Sequence, residues 1–152
     1  RIGERLTPSA DIRRYFEALR AAAPDRVVTG DYGESWEGRR LPWAAIGAPE
    51  NIARLDAIRA ASLALADPRR TSPARAAQII ADQPVIVWLA YGVHGNEVGP
   101  PEAAMATARH LLAARGDPRV AAMLAQAVVV FVPTQNPDGR DRATQWFNAH
   151  KS

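Results

Sequence analysis

The sequence contains no cysteine among its 152 residues. This absence excludes disulfide bonds, thiolate metal sites and a cysteine nucleophile, but it fits both reducing and oxidising compartments. Long apolar runs are missing as well: the longest, residues 85–90 and 127–133, fall far short of the roughly 20 residues that a membrane-spanning helix needs. The first residue is Arg1 rather than methionine, which fits a signal peptide that has been removed. A periplasmic or secreted location is therefore slightly favoured, although the sequence leaves the compartment open.

Lysine is nearly absent too, because Lys151 is the only one and the net charge of +3 comes from arginines. These arginines are scattered along the chain instead of forming the basic patch that is typical of nucleic-acid-binding proteins. With 47% hydrophobic and 23% charged residues, the composition is typical of one folded globular domain. We therefore expect neither a nucleic-acid partner nor a membrane span, and the oligomeric state is left open.

Helices and strands alternate along the chain according to the spacing of its apolar residues. The first half of the chain is predicted to contain a helix over residues 9–22 capped by Ser9 or Asp11, a hairpin of strands over residues 27–32 and 41–47, and a helix over residues 51–65. A short helix follows, with Ser72 as its cap and Pro73 in its first turn. The remaining predicted elements are a strand over residues 85–91, a helix over residues 101–114, a helix over residues 118–125 capped by Asp117, and a strand over residues 127–133. The continuous apolar run over residues 85–91 is typical of a central strand covered on both faces. Strand, helix, helix and strand in this order indicate a crossover unit of an α/β sheet.

The most informative segment is Gly-Val-His-Gly-Asn-Glu at residues 92–97. It follows the predicted strand at its carboxyl end, where open α/β sheets place their ligand sites. His94 and Glu97 can reach one cation if the backbone between them turns sharply, and Gly95 allows such a turn. Zinc accepts nitrogen and oxygen donors, and a catalytic zinc site has three protein ligands and one open position. The alternative is a polar loop in which His94 hydrogen-bonds a backbone carbonyl.

Three motifs in order make the sequence resemble the zinc metallocarboxypeptidase family of carboxypeptidase A. They are a turn reading Gly-Glu-Ser-Trp-Glu-Gly-Arg at residues 33–39, His-Gly-Asn-Glu at residues 94–97, and Asn-Pro-Asp-Gly at residues 136–139, which is predicted to form a tight turn after the last strand. The similarity is closest to bacterial members. The resemblance implies an α/β fold with a mixed, mostly parallel central sheet and helices on both faces, in which residues 1–152 are the amino-terminal portion of a single catalytic domain.

The resemblance also implies roles for individual residues. His94 and Glu97 take the place of two Zn²⁺ ligands, whereas a third ligand, a histidine, and the glutamate that activates water are expected beyond Ser152, so the chain by itself is expected to be inactive. The family places an arginine after the Asn-Pro-Asp-Gly sequence to polarise the scissile carbonyl. Arg140 and Arg142 are the catalytic candidates, and Arg142 is favoured, also for substrate binding. The alternative for each is a solvated arginine on a loop.

The function that the resemblance implies is zinc-dependent hydrolysis of carboxy-terminal peptide bonds, with a peptide or an acyl-amino acid as substrate. One alternative is an amidohydrolase like aspartoacylase and desuccinylase, which has a related His-x-x-Glu motif. Another is a non-catalytic binding domain of the same fold. The Asn-Pro-Asp-Gly sequence favours the peptidase. His110 is interpreted as a packing or surface residue of its helix, and His150 could replace a ligand only by an unusual route.

Overall fold

The computed structural model describes residues 5–150, so Arg1 and Lys151 lie outside the described residues. These residues form seven helices and four strands. In chain order they are α1 (Ser9–Ala22), β1 (Val27–Glu34), β2 (Arg40–Ile46), α2 (Pro49–Ala53), α3 (Leu55–Ala66), α4 (Pro73–Asp82), β3 (Val85–Ala90), α5 (Gly99–Ala113), α6 (Pro118–Gln126), β4 (Ala127–Val132) and α7 (Pro137–His150). Within this part of the chain, every helix is too short or too polar to cross a membrane.

The four strands form one mixed sheet in the order β1-β2-β4-β3. The predicted hairpin pairs β1 with β2 antiparallel, and β2 continues antiparallel to β4. The predicted crossover is also confirmed, because β3 and β4 are parallel neighbours joined through α5 and α6. The mixed α/β sheet is thus confirmed, and its described part has one parallel and two antiparallel pairings.

Helices cover both faces of the sheet because the side chains of β2 and β4 alternate between two cores. Ala44 and Ile46 face a core that also holds side chains of α1, α5 and α6. Ala45, between them in sequence, faces a second core shared with α2 and α3. This period of two is the geometry of a pleated strand. Val128 and Val129 of β4 are buried on opposite faces, so β4 is the central strand of the described sheet.

The position of β3 differs from the prediction of a covered central strand. This strand is at the end of the described sheet, with Val85 65% and Trp88 64% exposed. A continuous apolar run indicates that both faces of a strand favour burial, but it does not identify the strands or helices that would cover those faces. Among residues 5–150, β4 pairs with one edge of β3 and no strand pairs with the other.

The Asn-Pro-Asp-Gly sequence begins a helix, whereas a tight turn was predicted there. Asn136 accepts a hydrogen bond from the Gly139 backbone N–H through its side-chain oxygen (2.8 Å), which is the geometry of a helix N-cap. Pro137 occupies the first helical position of α7. Asparagine, proline, aspartate and glycine are common in turns and at helix starts alike, which explains the wrong prediction.

Helix caps are predicted correctly at two places and wrongly at one. Ser72 and Asp117 accept hydrogen bonds from backbone N–H groups at the starts of α4 and α6, as predicted. Neither Ser9 nor Asp11 caps α1, whose N-cap is Pro8. The predicted helix over residues 51–65 is divided into α2 and α3.

Candidate metal centre

The loop between β3 and α5 carries His94 and Glu97 at the carboxyl end of β3, as the sequence predicts. Both side chains are exposed, whereas Gly95 between them is buried. The Glu97 backbone N–H donates to the His94 carbonyl (3.2 Å), which closes one turn. Gly92, at the start of the loop, has a φ of +66°, a left-handed conformation that favours glycine. The chain therefore folds the two polar side chains into one short, exposed turn.

Backbone hydrogen bonds hold the start of this loop against the segment between β4 and α7. The Gln135 N–H donates to the Tyr91 carbonyl (2.9 Å), and the Asn136 N–H donates to the Gly92 carbonyl (3.1 Å). The Asn136 side-chain amide also donates to the Val93 carbonyl (3.3 Å). The parallel ladder of β3 and β4 is thereby extended up to the residue before His94.

Gly95 lies directly against the first turn of α7. A Cβ atom on Gly95 would lie 2.0 Å from the Gly139 carbonyl carbon and 2.4 Å from the Arg140 nitrogen. Both neighbours are backbone atoms of a helix, so they have no side-chain freedom with which to move away. Only glycine fits at this point of the loop.

The donor set of the loop fits a zinc site in part. An imidazole nitrogen and a carboxylate oxygen are ordinary zinc ligands, and three protein ligands are needed. Within residues 5–150, His94 and Glu97 are joined by no further histidine, aspartate or glutamate that would complete a group of three. His110 is exposed on α5. The His150 ring stacks on Trp146 at the end of α7, with a centroid separation of 4.9 Å.

Arg140 is enclosed in the protein, with 1% of its side chain exposed. Its Nε donates to the Thr7 carbonyl (3.0 Å), Nη1 to the Val98 carbonyl (2.8 Å) and Nη2 to Glu102 Oε1 (2.7 Å). Burial lowers the pKa of the guanidinium, and the neighbouring Glu102 carboxylate acts in the opposite direction. All three guanidinium nitrogens therefore donate to acceptors of the protein itself.

Arg142 is placed differently, with 74% of its side chain exposed. Its guanidinium donates to the Glu37 carboxylate, which lies in the loop between β1 and β2. A hydrogen bond from Arg39, and after it this contact with Arg142, lower the pKa of Glu37. Of the two candidate arginines, Arg142 is the one that solution can reach.

The other side chains at the start of α7 bind the β1–β2 loop. Asp138 accepts hydrogen bonds from the Ser35 hydroxyl (2.7 Å) and from Arg39 (2.8 Å). Arg39 also donates to Asp141 (2.8 Å), which in turn accepts from the Ser9 N–H (2.7 Å). Sequence reasoning missed Arg39, Asp141 and Glu102. The hydrogen bonds that join them to distant segments span 38 to 132 positions of the sequence, so local spacing does not predict these contacts.

Comparisons with known proteins give a family match and several solved structures with a similar fold. The family model described as zinc carboxypeptidase matches residues 12–151. One similar structure is bovine thrombin-activatable fibrinolysis inhibitor in complex with tick carboxypeptidase inhibitor. Its TM-score is 0.61 at 16% sequence identity, and the match covers 97% of this chain and 35% of that chain. Carboxypeptidase A from Helicoverpa armigera has a TM-score of 0.62 and 17% identity over 89% of this chain and 25% of that one.

A bacterial protein is equally similar. The metallo-carboxypeptidase from Burkholderia cenocepacia has a TM-score of 0.62 and 16% identity over 90% of this chain and 28% of that one. The chain thus spans about a quarter to a third of the length of these structures. The search of the curated proteins gives no significant match. At such low identities the solved structures show the fold, and the family model, which matches most of the sequence, shows that this chain belongs to the zinc carboxypeptidase family.

Proposed function

We propose that the protein containing this chain is a zinc-dependent carboxypeptidase that hydrolyses carboxy-terminal peptide bonds, and that residues 1–152 are the amino-terminal portion of its catalytic domain. Family membership supports the reaction class. The observation that carries the proposal for this chain is the exposed turn that presents His94 and Glu97 together at the carboxyl end of β3. The substrate is a peptide or an acyl-amino acid.

Two residues of the turn are assigned to the metal. His94 would donate a neutral ring nitrogen and Glu97 an ionised carboxylate oxygen, and both must be deprotonated to bind. Bound zinc would lower the pKa of a coordinated water towards about 7 and polarise the substrate carbonyl. The third ligand and the group that takes the proton from water are assigned to residues outside this sequence.

Arg142 is the residue of this chain that we assign to the substrate. Its exposed guanidinium can reach a ligand from solution once it leaves Glu37, whereas the enclosed guanidinium of Arg140 cannot. A positive charge beside the scissile carbonyl stabilises the negative charge that develops on its oxygen during attack. Arg142 is therefore the better candidate of the two for this role.

The test uses the full-length protein that contains this sequence, loaded with zinc. We expect release of carboxy-terminal amino acids from peptides, and loss of that activity in His94→Ala and Glu97→Ala, because each change removes a metal ligand. His110→Ala is the matched control: this exposed histidine lies on α5, outside the turn, so activity should remain.

Two results would replace the proposal by another. If the full-length protein binds zinc through His94 and Glu97 but cleaves neither peptides nor acyl-amino acids, the chain is part of a binding domain with this fold. If acyl-amino acids are cleaved and peptides are not, the amidohydrolase alternative is correct. Measuring initial rates for both substrate classes with one enzyme preparation separates the three functions.

A further inference from the structure

The buried guanidinium of Arg140 joins three segments that are distant in sequence. Thr7 precedes α1, and Glu102 lies in the first turn of α5. Val98 follows the turn at residues 94–97 that carries the two proposed zinc ligands, which we call the metal turn. Arg140 itself lies in the first turn of α7. Its planar guanidinium donates in three fixed directions, which a flexible ammonium group does not do. Its position therefore determines how the four segments lie relative to one another.

The Glu102 carboxylate makes this arrangement rigid. Besides accepting from Arg140, it accepts from the Thr7 N–H (2.9 Å) and from the Thr7 hydroxyl (3.0 Å). A buried charge is costly unless it is paired and hydrogen-bonded, so removal of one partner destabilises the other. Arg140 and Glu102 satisfy each other, and together they attach the segment before α1 to the start of α5.

The same residue contacts the metal turn on both sides of Glu97. Before Glu97, the Arg140 backbone nitrogen lies against Gly95, where no Cβ would fit. After Glu97, the Arg140 guanidinium donates to the carbonyl of Val98. The backbone of Glu97 is thus held between two contacts with one residue of α7. Its carboxylate, by contrast, is exposed and free of these contacts.

We propose that Arg140 is a positioning residue of the metal centre, which fixes the backbone on both sides of Glu97 and so directs the Glu97 carboxylate towards zinc. Arg140 contacts neither the metal nor the substrate. The inference rests on the proposed assignment of His94 and Glu97 as zinc ligands. It gives the two arginines after the Asn-Pro-Asp-Gly sequence different roles: Arg140 positions the metal turn, and the exposed Arg142 is left to bind the substrate.

The test measures the Kd for zinc of the full-length protein and its variants. The metal is first removed, and zinc is then titrated back in competition with a chromophoric chelator. Arg140→Met should raise the Kd for zinc by about tenfold or more, the range seen when groups that orient metal ligands are removed. Arg26→Met is the matched control, because Arg26 also donates to two backbone carbonyls, those of Leu111 and Leu112, away from the metal turn. It should lower the Tm but leave the Kd unchanged.

Arg140→Lys keeps a positive charge opposite Glu102 but cannot donate to three acceptors in the same geometry. It serves as the second variant if Arg140→Met does not fold, and we expect a smaller rise in the Kd for zinc. For either variant, the kcat should return towards the wild-type value at saturating zinc, since a positioning residue contributes through metal occupancy.

Two results would overturn the inference. One is a wild-type Kd for zinc in folded Arg140→Lys and Arg140→Met. The other is a loss of kcat by about 100-fold that persists at saturating zinc, which is the size expected for removal of a group that stabilises the oxyanion directly. A wild-type protein that binds zinc but cleaves no peptide would overturn the proposed function alone, because the comparison of zinc affinities does not depend on turnover.

Discussion

Gly95 shows how a residue without a side chain can determine the geometry of a metal turn. The turn approaches α7 so closely that the backbones of Gly95 and Gly139 are in contact. Gly139 itself has little space, because a Cβ there would lie 2.8 Å from the Asn136 side-chain nitrogen. Two glycines, one in each motif, thus allow the loop after β3 and the helix after β4 to touch. The contact therefore constrains the backbone between His94 and Glu97, the proposed zinc ligands.

Gly95→Ala tests the contact in the full-length protein. We expect a loss of about 1–3 kcal/mol in the free energy of unfolding, the usual cost of inserting a methyl group where there is no space, together with weaker zinc binding because the turn must move. Thermal unfolding and the chelator competition measure the two effects. Gly116→Ala is the control, because its Cβ would meet open space and its φ is not positive. An unchanged Tm for Gly95→Ala would contradict the contact.

At the level of single residues, the sequence predicted where His94 and Glu97 lie better than it predicted the surroundings of the two arginines. His94 and Glu97 are three positions apart after an apolar strand, so their proximity is a local property of the chain. The burial of Arg140 depends on Thr7 and Glu102, which are 133 and 38 residues away, and no local pattern contains that information. An exposed arginine and an enclosed arginine two positions apart on the same helix therefore look the same in the sequence.

Between elements, the main polar connection joins the β1–β2 loop to the first turns of α7. Ser35 and Arg39 of the loop donate to Asp138, and Arg39 continues to Asp141. The hydrogen bond from Ser35 and the contacts with Arg39 lower the pKa of Asp138. The turn at residues 33–39, which supports the family resemblance, therefore holds the helix whose start contacts the metal turn.

This connection predicts a pH dependence of stability. The pKa of Asp138 in the folded state is below its ordinary value of 3.8. Its contribution to stability is therefore fully present above that value and is lost as the pH falls through the folded-state pKa. Asp138→Asn should lower the Tm at neutral pH, and the difference from wild type should shrink below about pH 4. Thermal melts of the full-length protein between neutral and acidic pH measure it.

Asp67→Asn provides the control for this experiment. The pKa of Asp67 is also lowered, chiefly by a hydrogen bond from Arg69. That partner is two residues away and 87% exposed, so the pair joins no distant elements. We expect little change in Tm at any pH for this variant, as is usual for exposed ion pairs. A pH profile of Asp138→Asn parallel to wild type would contradict the assigned role of Asp138.

At the scale of the whole molecule, the sequence predicted most elements up to β4 and the crossover, but neither helix α7 nor the exposure of β3. Both β3 and β4 are continuous apolar runs, and the structure buries one and exposes the other. The difference arises from the position in the sheet: β2 and β3 flank β4, whereas β3 has a described neighbour on one side only. Ile86 and Trp88 instead line an open apolar cleft of about 650 Å³.

The isolated 152-residue chain should therefore associate in solution. An unpaired strand edge next to exposed apolar side chains is a site for pairing with other chains. We expect light scattering that rises steeply with protein concentration. Trp88→Lys should reduce it, because the variant places a charge on the apolar face of β3, where lysine opposes edge-to-edge pairing.

Trp36→Lys separates this effect from a general gain in charge. Trp36 is also an exposed tryptophan, but it lies in the loop between β1 and β2, at the opposite end of the sheet from β3. Both variants replace a tryptophan by a lysine and so add the same positive charge. Equal suppression of light scattering by the two variants would therefore show that charge alone is responsible. Suppression by Trp88→Lys alone places the contact at β3. A monomeric wild-type chain with a sharp, cooperative melt at high concentration would show that the exposed face of β3 does not drive association.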